Sequence, residues 1–207
     1  VNINDGAAVT TGTGDVTVDV DGTINVSGLA TQFHVNGPTT IEVGGEINQQ
    51  TANSEIHFND TLTIKGTLLK STGIVHSNVN TTVDGGLLRQ ISGSFNLAPG
   101  TQLNAVNDGF VNISGPYSVN GMSVMSAQTG ADLYVSTILS VGHASNGQVV
   151  AEGVGSSVEA FYATLGKDGA FGQIIVRDEA MGTFGNMVIA EGTVADTRGE
   201  LRVEDDA

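Results

Sequence analysis

A five-residue pattern recurs four times in the first half of this chain and narrows what the chain can fold into: an apolar residue, any residue, Gly, any residue, a second apolar residue. The copies are Val20-Asp21-Gly22-Thr23-Ile24, Val43-Gly44-Gly45-Glu46-Ile47, Ile64-Lys65-Gly66-Thr67-Leu68 and Val83-Asp84-Gly85-Gly86-Leu87, starting 23, 21 and 19 residues apart. A unit this short cannot cover its own apolar face. It becomes stable when successive units stack, pairing backbones along the stack and hiding a continuous aliphatic column, which is the logic of a solenoid.

Between the glycines, apolar and polar residues alternate: Val16 and Val18, Ile24 and Val26, Phe33 and Val35, Ile56 and Phe58, Leu62 and Ile64. A period of two marks half-buried strands, and Asn-Gly, Asp-Gly and Gly-Gly turns interrupt the runs. With 29 Gly, 5% aromatic residues and no Trp, the core has to be built from Val, Ile and Leu. The expected fold is all-β: a single-stranded right-handed parallel β-helix with turns of about 19–27 residues, roughly nine of them over 207 residues.

A second motif runs in phase with the first: Phe33-His34-Val35-Asn36, Ile56-His57-Phe58-Asn59 and Val75-His76-Ser77-Asn78. Asn tolerates left-handed backbone geometry, and its amide bonds to the Asn above and below it in a stack. The predicted register places Gly22, Gly45, Gly66 and Gly85 in one line and Asn36, Asn59 and Asn78 in another. Further on, Gly147-Gln148-Val149, Gly172-Gln173-Ile174 and Gly199-Glu200-Leu201 lie 25 and 27 residues apart, each preceded by a dipeptide read as a turn: Val141-Gly142, Leu165-Gly166 and Ile189-Ala190. One continuous solenoid over 1–207 is expected, with shorter-period turns over 1–105, irregular turns over 106–130 and longer-period turns over 131–207.

The run Val141-Gly142, a short turn, Gly147-Gln148-Val149, then Leu165-Gly166 to Gly172-Gln173-Ile174-Ile175-Val176-Arg177-Asp178-Glu179-Ala180 resembles the degenerate repeats of autotransporter passenger domains, secreted right-handed β-helices of Gram-negative bacteria. The resemblance implies a fragment of such a passenger, displayed extracellularly or on the bacterial cell surface. The implied roles are adhesion, self-association or service as a rigid spacer stalk, with a host surface, a glycan or another copy of the chain as partner.

Charge separates partner classes. With 22 acidic and 7 basic residues the net charge is -15, which opposes binding to nucleic acid and to anionic membrane surfaces. No apolar stretch approaches the 18 residues of a membrane-spanning helix, so no embedded segment is expected. The absence of Cys excludes disulfides and thiol chemistry.

Among chemistry-bearing residues, the three in-phase histidines are the sharpest signal. Phe33 and Val35, like Ile56 and Phe58, take the inward positions of their strands, so His34 and His57 point outward, with His76 on the next turn. Imidazoles about one strand spacing apart are candidate ligands for Zn²⁺ or Cu²⁺. No carboxylate recurs beside all three, and the reading is a solvent-facing polar ladder with no assigned metal, cofactor or catalytic residue. The alternative class, a polysaccharide lyase or hydrolase, needs converging carboxylates. Asp19 with Asp21 on one strand face, Arg177 with Asp178 and Glu179, and Asp205 with Asp206 are the available groupings. Thr-x-Thr pairs at Thr11 with Thr13 and Thr61 with Thr63 do not recur in successive phased turns, which argues against an ice-binding face. The expected function is therefore non-enzymatic.

Overall fold

The computed structural model describes residues 1–70, 73–192 and 196–204. Among the described residues every regular element is a β-strand. The strands pair in parallel and stack as three sheets in a β-solenoid of about nine turns. The first sheet has ten strands, from Asn2–Ile3 to Met181–Glu191; the third has nine, from Val16–Val18 to Arg198–Glu204; the second has five, from Ala8–Thr10 to Ser94–Leu97. No helix among the described residues is long and apolar enough to cross a membrane.

Each early turn visits the three sheets in order, and the period-two alternation of the sequence sorts side chains into inner and outer columns. Inside, Val18, Ile41, Ile64 and Val83 are partners on the third sheet. Phe33, Ile56, Val75 and Phe95 do the same on the second sheet, and Ile24, Ile47, Leu68 and Leu88 on the first. All but Ile24 are fully buried or nearly so. Each fully buried aliphatic side chain contributes about 1.5–3 kcal/mol, so these columns are the main force holding one turn on the next.

The glycine line differs from the expected one at its fourth member. Glu46 pairs with Thr67, Thr67 with Leu87 and Leu87 with Phe110, which makes the column Gly22, Gly45, Gly66, Gly86 and Gly109. The five-residue pattern superposes residues that are not equivalent: Val20 and Val43 are corner residues, 66% and 67% exposed, whereas Ile64 and Val83 are core residues with no exposure. Corners of unequal length were hidden under one spacing. The column is glycine for want of space. A Cβ on Gly45, Gly66, Gly86 or Gly109 would press into a backbone carbonyl oxygen of the preceding turn, that of Val18, Glu42, Ile64 or Val83 respectively. In later turns the same position passes to the small residues Ala131, Ser156 and Ala180.

After Ser94–Leu97 the second sheet stops, and Tyr117–Val119 instead joins the first sheet alongside the end of the long strand Asp132–His143. From there each turn carries one long bent strand of 11 or 12 residues, with a register shift between Val135 and Ile138, and one strand of the third sheet. The two halves of the long strand take over two sides of the turn, and the third-sheet column narrows to Ala105, Ala127 and Ala151 before widening again at Val176.

Two sequence expectations are corrected here. Residues 106–130 are not irregular turns: they contain Phe110–Ile113, Tyr117–Val119 and Ser123–Gln128, all in the ladder, with Pro116 and Met122 at the corners between them. Val141-Gly142 and its two counterparts are not turns either, because they lie inside the long strands. Gly142, Gly166 and Ala190 form a column at φ of 73°, 70° and 59°, a left-handed kink that Ala190 adopts without the help of a missing side chain.

Candidate functional site

The outer faces repeat one side chain at the strand spacing of about 4.8 Å. On the third sheet Thr17, Thr40, Thr63 and Thr82 are direct partners over four turns, a column that uneven period lengths hid from the Thr-x-Thr reading. Asn36, Asn59 and Asn78 form the expected line: Nδ2 of Asn59 donates to Oδ1 of Asn36 at 2.9 Å, and Nδ2 of Asn78 to Oδ1 of Asn59 at 2.8 Å. On the first sheet Asn25 donates likewise to Asn2 at 2.8 Å and Asn48 to Asn25 at 3.3 Å.

The second sheet holds the histidines. His34, on strand Gln32–Val35, pairs with His57 on Glu55–Phe58, and His57 with His76 on Ile74–Ser77. Their rings stack, with centroids 4.4 and 4.5 Å apart and planes 13° and 11° from parallel. Paired strands on either side hold the three rings in this line. All three are partly buried rather than standing free in solvent.

A carboxylate joins them that sequence reading passed over. Glu55 lies two residues before His57 on the same strand face, and its Oε2 is 3.0 Å from Nε2 of His57. Gln32, the partner of Glu55 one turn below, donates from Nε2 to that oxygen at 3.4 Å, and its Oε1 lies 3.4 Å from Nε2 of His34. The search for repetition missed this row, since Gln32, Glu55 and Ile74 do not repeat; the i, i+2 spacing to His57 was the signal available. The hydrogen bond from His57 holds the Glu55 carboxyl below the usual carboxylate range, with help from the charge of His57 and His76, while burial opposes it. One oxygen of Glu55 and one nitrogen each of His57 and His76 all lie within 4.8 Å of one another.

The other candidates fall elsewhere. Asp19 and Asp21 occupy a corner and not a strand face, because the Gly22 N–H closes a turn on the Asp19 carbonyl at 2.8 Å and Asp21 takes φ 62°. Arg177 is engaged by Glu152 of the preceding turn at 2.9 Å and lies 3.9 Å from Asp178. His143 stands 3.2 Å from Asp168, away from the histidine column. Asp205 and Asp206 lie outside the described residues. Where the second sheet ends, a groove of about 390 Å³ opens one turn beyond His76, with Asn96, Pro99, Tyr117 and Asn120 in its lining.

No family model matches this chain, and no curated protein or solved structure is significantly similar to it.

Proposed function

We propose that this chain is a non-enzymatic, rigid β-solenoid shaft from a bacterial cell-surface or secreted protein, serving as a spacer and an adhesive rod. The observation that carries the reading is the repetition of single polar side chains, turn upon turn, along the outer faces: four threonines, three asparagines twice over, and three histidines. Such ladders offer many identical weak contacts on a stiff frame, and linking weak contacts raises overall avidity by about 10²–10⁴ without any single strong site. The partner class that fits is a glycan, a host surface or a second copy of the chain. The groove beside Asn96 and Asn120 offers amides to sugar hydroxyls. The net charge of -15 keeps neighbouring rods apart until specific contacts form. The resemblance of the later repeats to autotransporter passengers supports surface display.

The reading is tested by comparing monomeric protein with a streptavidin-linked tetramer on glycan-coated and cell surfaces. Retention of the tetramer at least about tenfold above the monomer supports the adhesive rod. Equal retention, or release of sugar fragments from the coated surface, overturns it.

A further inference from the structure

We propose that Glu55, His57 and His76 form a binding site for one divalent transition-metal ion of the zinc class. Two imidazoles and a carboxylate are a ligand set that suits Zn²⁺ and Cu²⁺, and three protein ligands leave further positions to water. The donor atoms are already gathered within 4.8 Å of one another. In a tetrahedral zinc site with bonds of about 2.0–2.1 Å, neighbouring donors stand roughly 3.3 Å apart. The 3.0 Å separation of Glu55 Oε2 from His57 Nε2 is therefore close to a ligand–ligand edge, and the third donor has at most about 1.5 Å to travel.

That movement is local. The His57 and His76 rings are nearly parallel at 11°, and an ion must lie near the plane of each ring it binds. The rings tilt toward each other about χ2, a broad and soft torsion, while the paired strands beneath them stay fixed. Gln32 holds the carboxylate by its hydrogen bond to Glu55 Oε2, the outer-shell support that metal-binding carboxylates ordinarily receive. Side-chain exposures of 20% for His57 and 33% for Glu55 leave the site open to an incoming ion yet restrict the rotamers that would scatter the donors. The net charge of -15 draws cations to the chain as a whole.

The test uses protein carrying no histidine tag. Isothermal titration with Zn²⁺ is expected to show one saturable site, weakened about tenfold or more in His57→Asn, His76→Asn and Glu55→Gln and unchanged in His143→Asn. Natural-abundance or ¹⁵N-histidine NMR adds a readout that does not depend on variants: Zn²⁺ should shift the ring nitrogens of His57 and His76 and leave those of His143 in place. Variants are checked by circular dichroism for an intact ladder, and the NMR arm stands if one fails to fold. Absence of saturable binding overturns the proposal. So does binding that is indifferent to all three ligand substitutions, or that shifts His143 as much as the column.

Discussion

Replacing Gly86 by Ala should cost much more than replacing its neighbour Gly85, although the two glycines look interchangeable in the sequence. A Cβ on Gly86 would sit 2.7 Å from the Gly66 carbonyl oxygen and closer still to that of Ile64, where about 3.4 Å is comfortable. Relieving the closer contact requires the turns to part by about 1 Å, which stretches the Leu87 N–H···O=C Gly66 bond from its 2.8 Å past the limit of hydrogen bonding. The lost bond costs about 0.5–1.5 kcal/mol and the overpacking about 1–3, offset by about 0.5 from the stiffer unfolded chain, a net loss of about 1–4 kcal/mol. A Cβ on Gly85 meets only the Asn107 oxygen at 3.2 Å; the left-handed φ of 65° is the main penalty, about 1 kcal/mol net. Gly12→Ala, with nothing within 4 Å of the new methyl group, should change stability by less than about 0.5 kcal/mol. Urea unfolding followed by far-ultraviolet circular dichroism ranks the three, with hydrogen exchange locating the loosened turns. A Gly85→Ala protein less stable than Gly86→Ala, or all three alike, would refute the register.

Asn59→Ala removes an amide that donates to Asn36 and accepts from Asn78; both bonds are exposed, so a loss of about 1 kcal/mol is expected in urea unfolding, and no change would mean the ladder is ornamental. Among the described residues the buried Tyr117 hydroxyl has no hydrogen-bond partner, and burial pushes its ionisation far upward. Tyr117→Phe should therefore raise stability by about 1 kcal/mol, and a destabilised variant would point to an unseen partner. The lowered Glu55 carboxyl ties stability to acid. Its contribution is fully present above the ordinary glutamate value of about 4.3, and it is lost as pH falls through the lower folded value, where the unfolded chain already holds the proton. Urea midpoints measured from pH 6 downward should fall more steeply in the native chain than in Glu55→Gln, and parallel slopes would contradict the pairing.

The stacked architecture was legible because period and alternation are both direct consequences of burial. Phe33, Ile56 and Val75 mark an inner column, and the residues between them an outer one, whatever the corner lengths. The Asn and His columns were legible for the same reason, since both sit at fixed offsets from strand residues. Corner lengths were not. Nothing local in Val83-Asp84-Gly85-Gly86-Leu87 says which glycine faces the carbonyl of Ile64; only the pairing of Thr67 with Leu87 decides it. The merging of two strands into one was equally hidden, because nothing local in Tyr117–Val119 says that it pairs with the same long strand as Phe110–Ile113. Glu55 escaped notice because it has no counterpart on the turns above and below, and a site assembled once does not announce itself by repetition.

The stacking register itself is open to a direct measurement, because the chain contains no Cys and introduced pairs have no competitors. Thr40 and Thr63 are partners on adjacent turns of the third sheet, while Thr82 is the partner of Thr63 one turn further on. Strands about 4.8 Å apart place the first pair within the roughly 4.4–6.8 Å Cα separation that a disulfide spans, and the Thr40–Thr82 pair at twice the strand spacing. Under mild oxidation Thr40→Cys with Thr63→Cys should close an intramolecular disulfide, whereas Thr40→Cys with Thr82→Cys, and Thr40→Cys with Lys65→Cys, should stay reduced. Comparable oxidation of all three pairs, or closure of either control in preference to Thr40 with Thr63, would contradict the solenoid register.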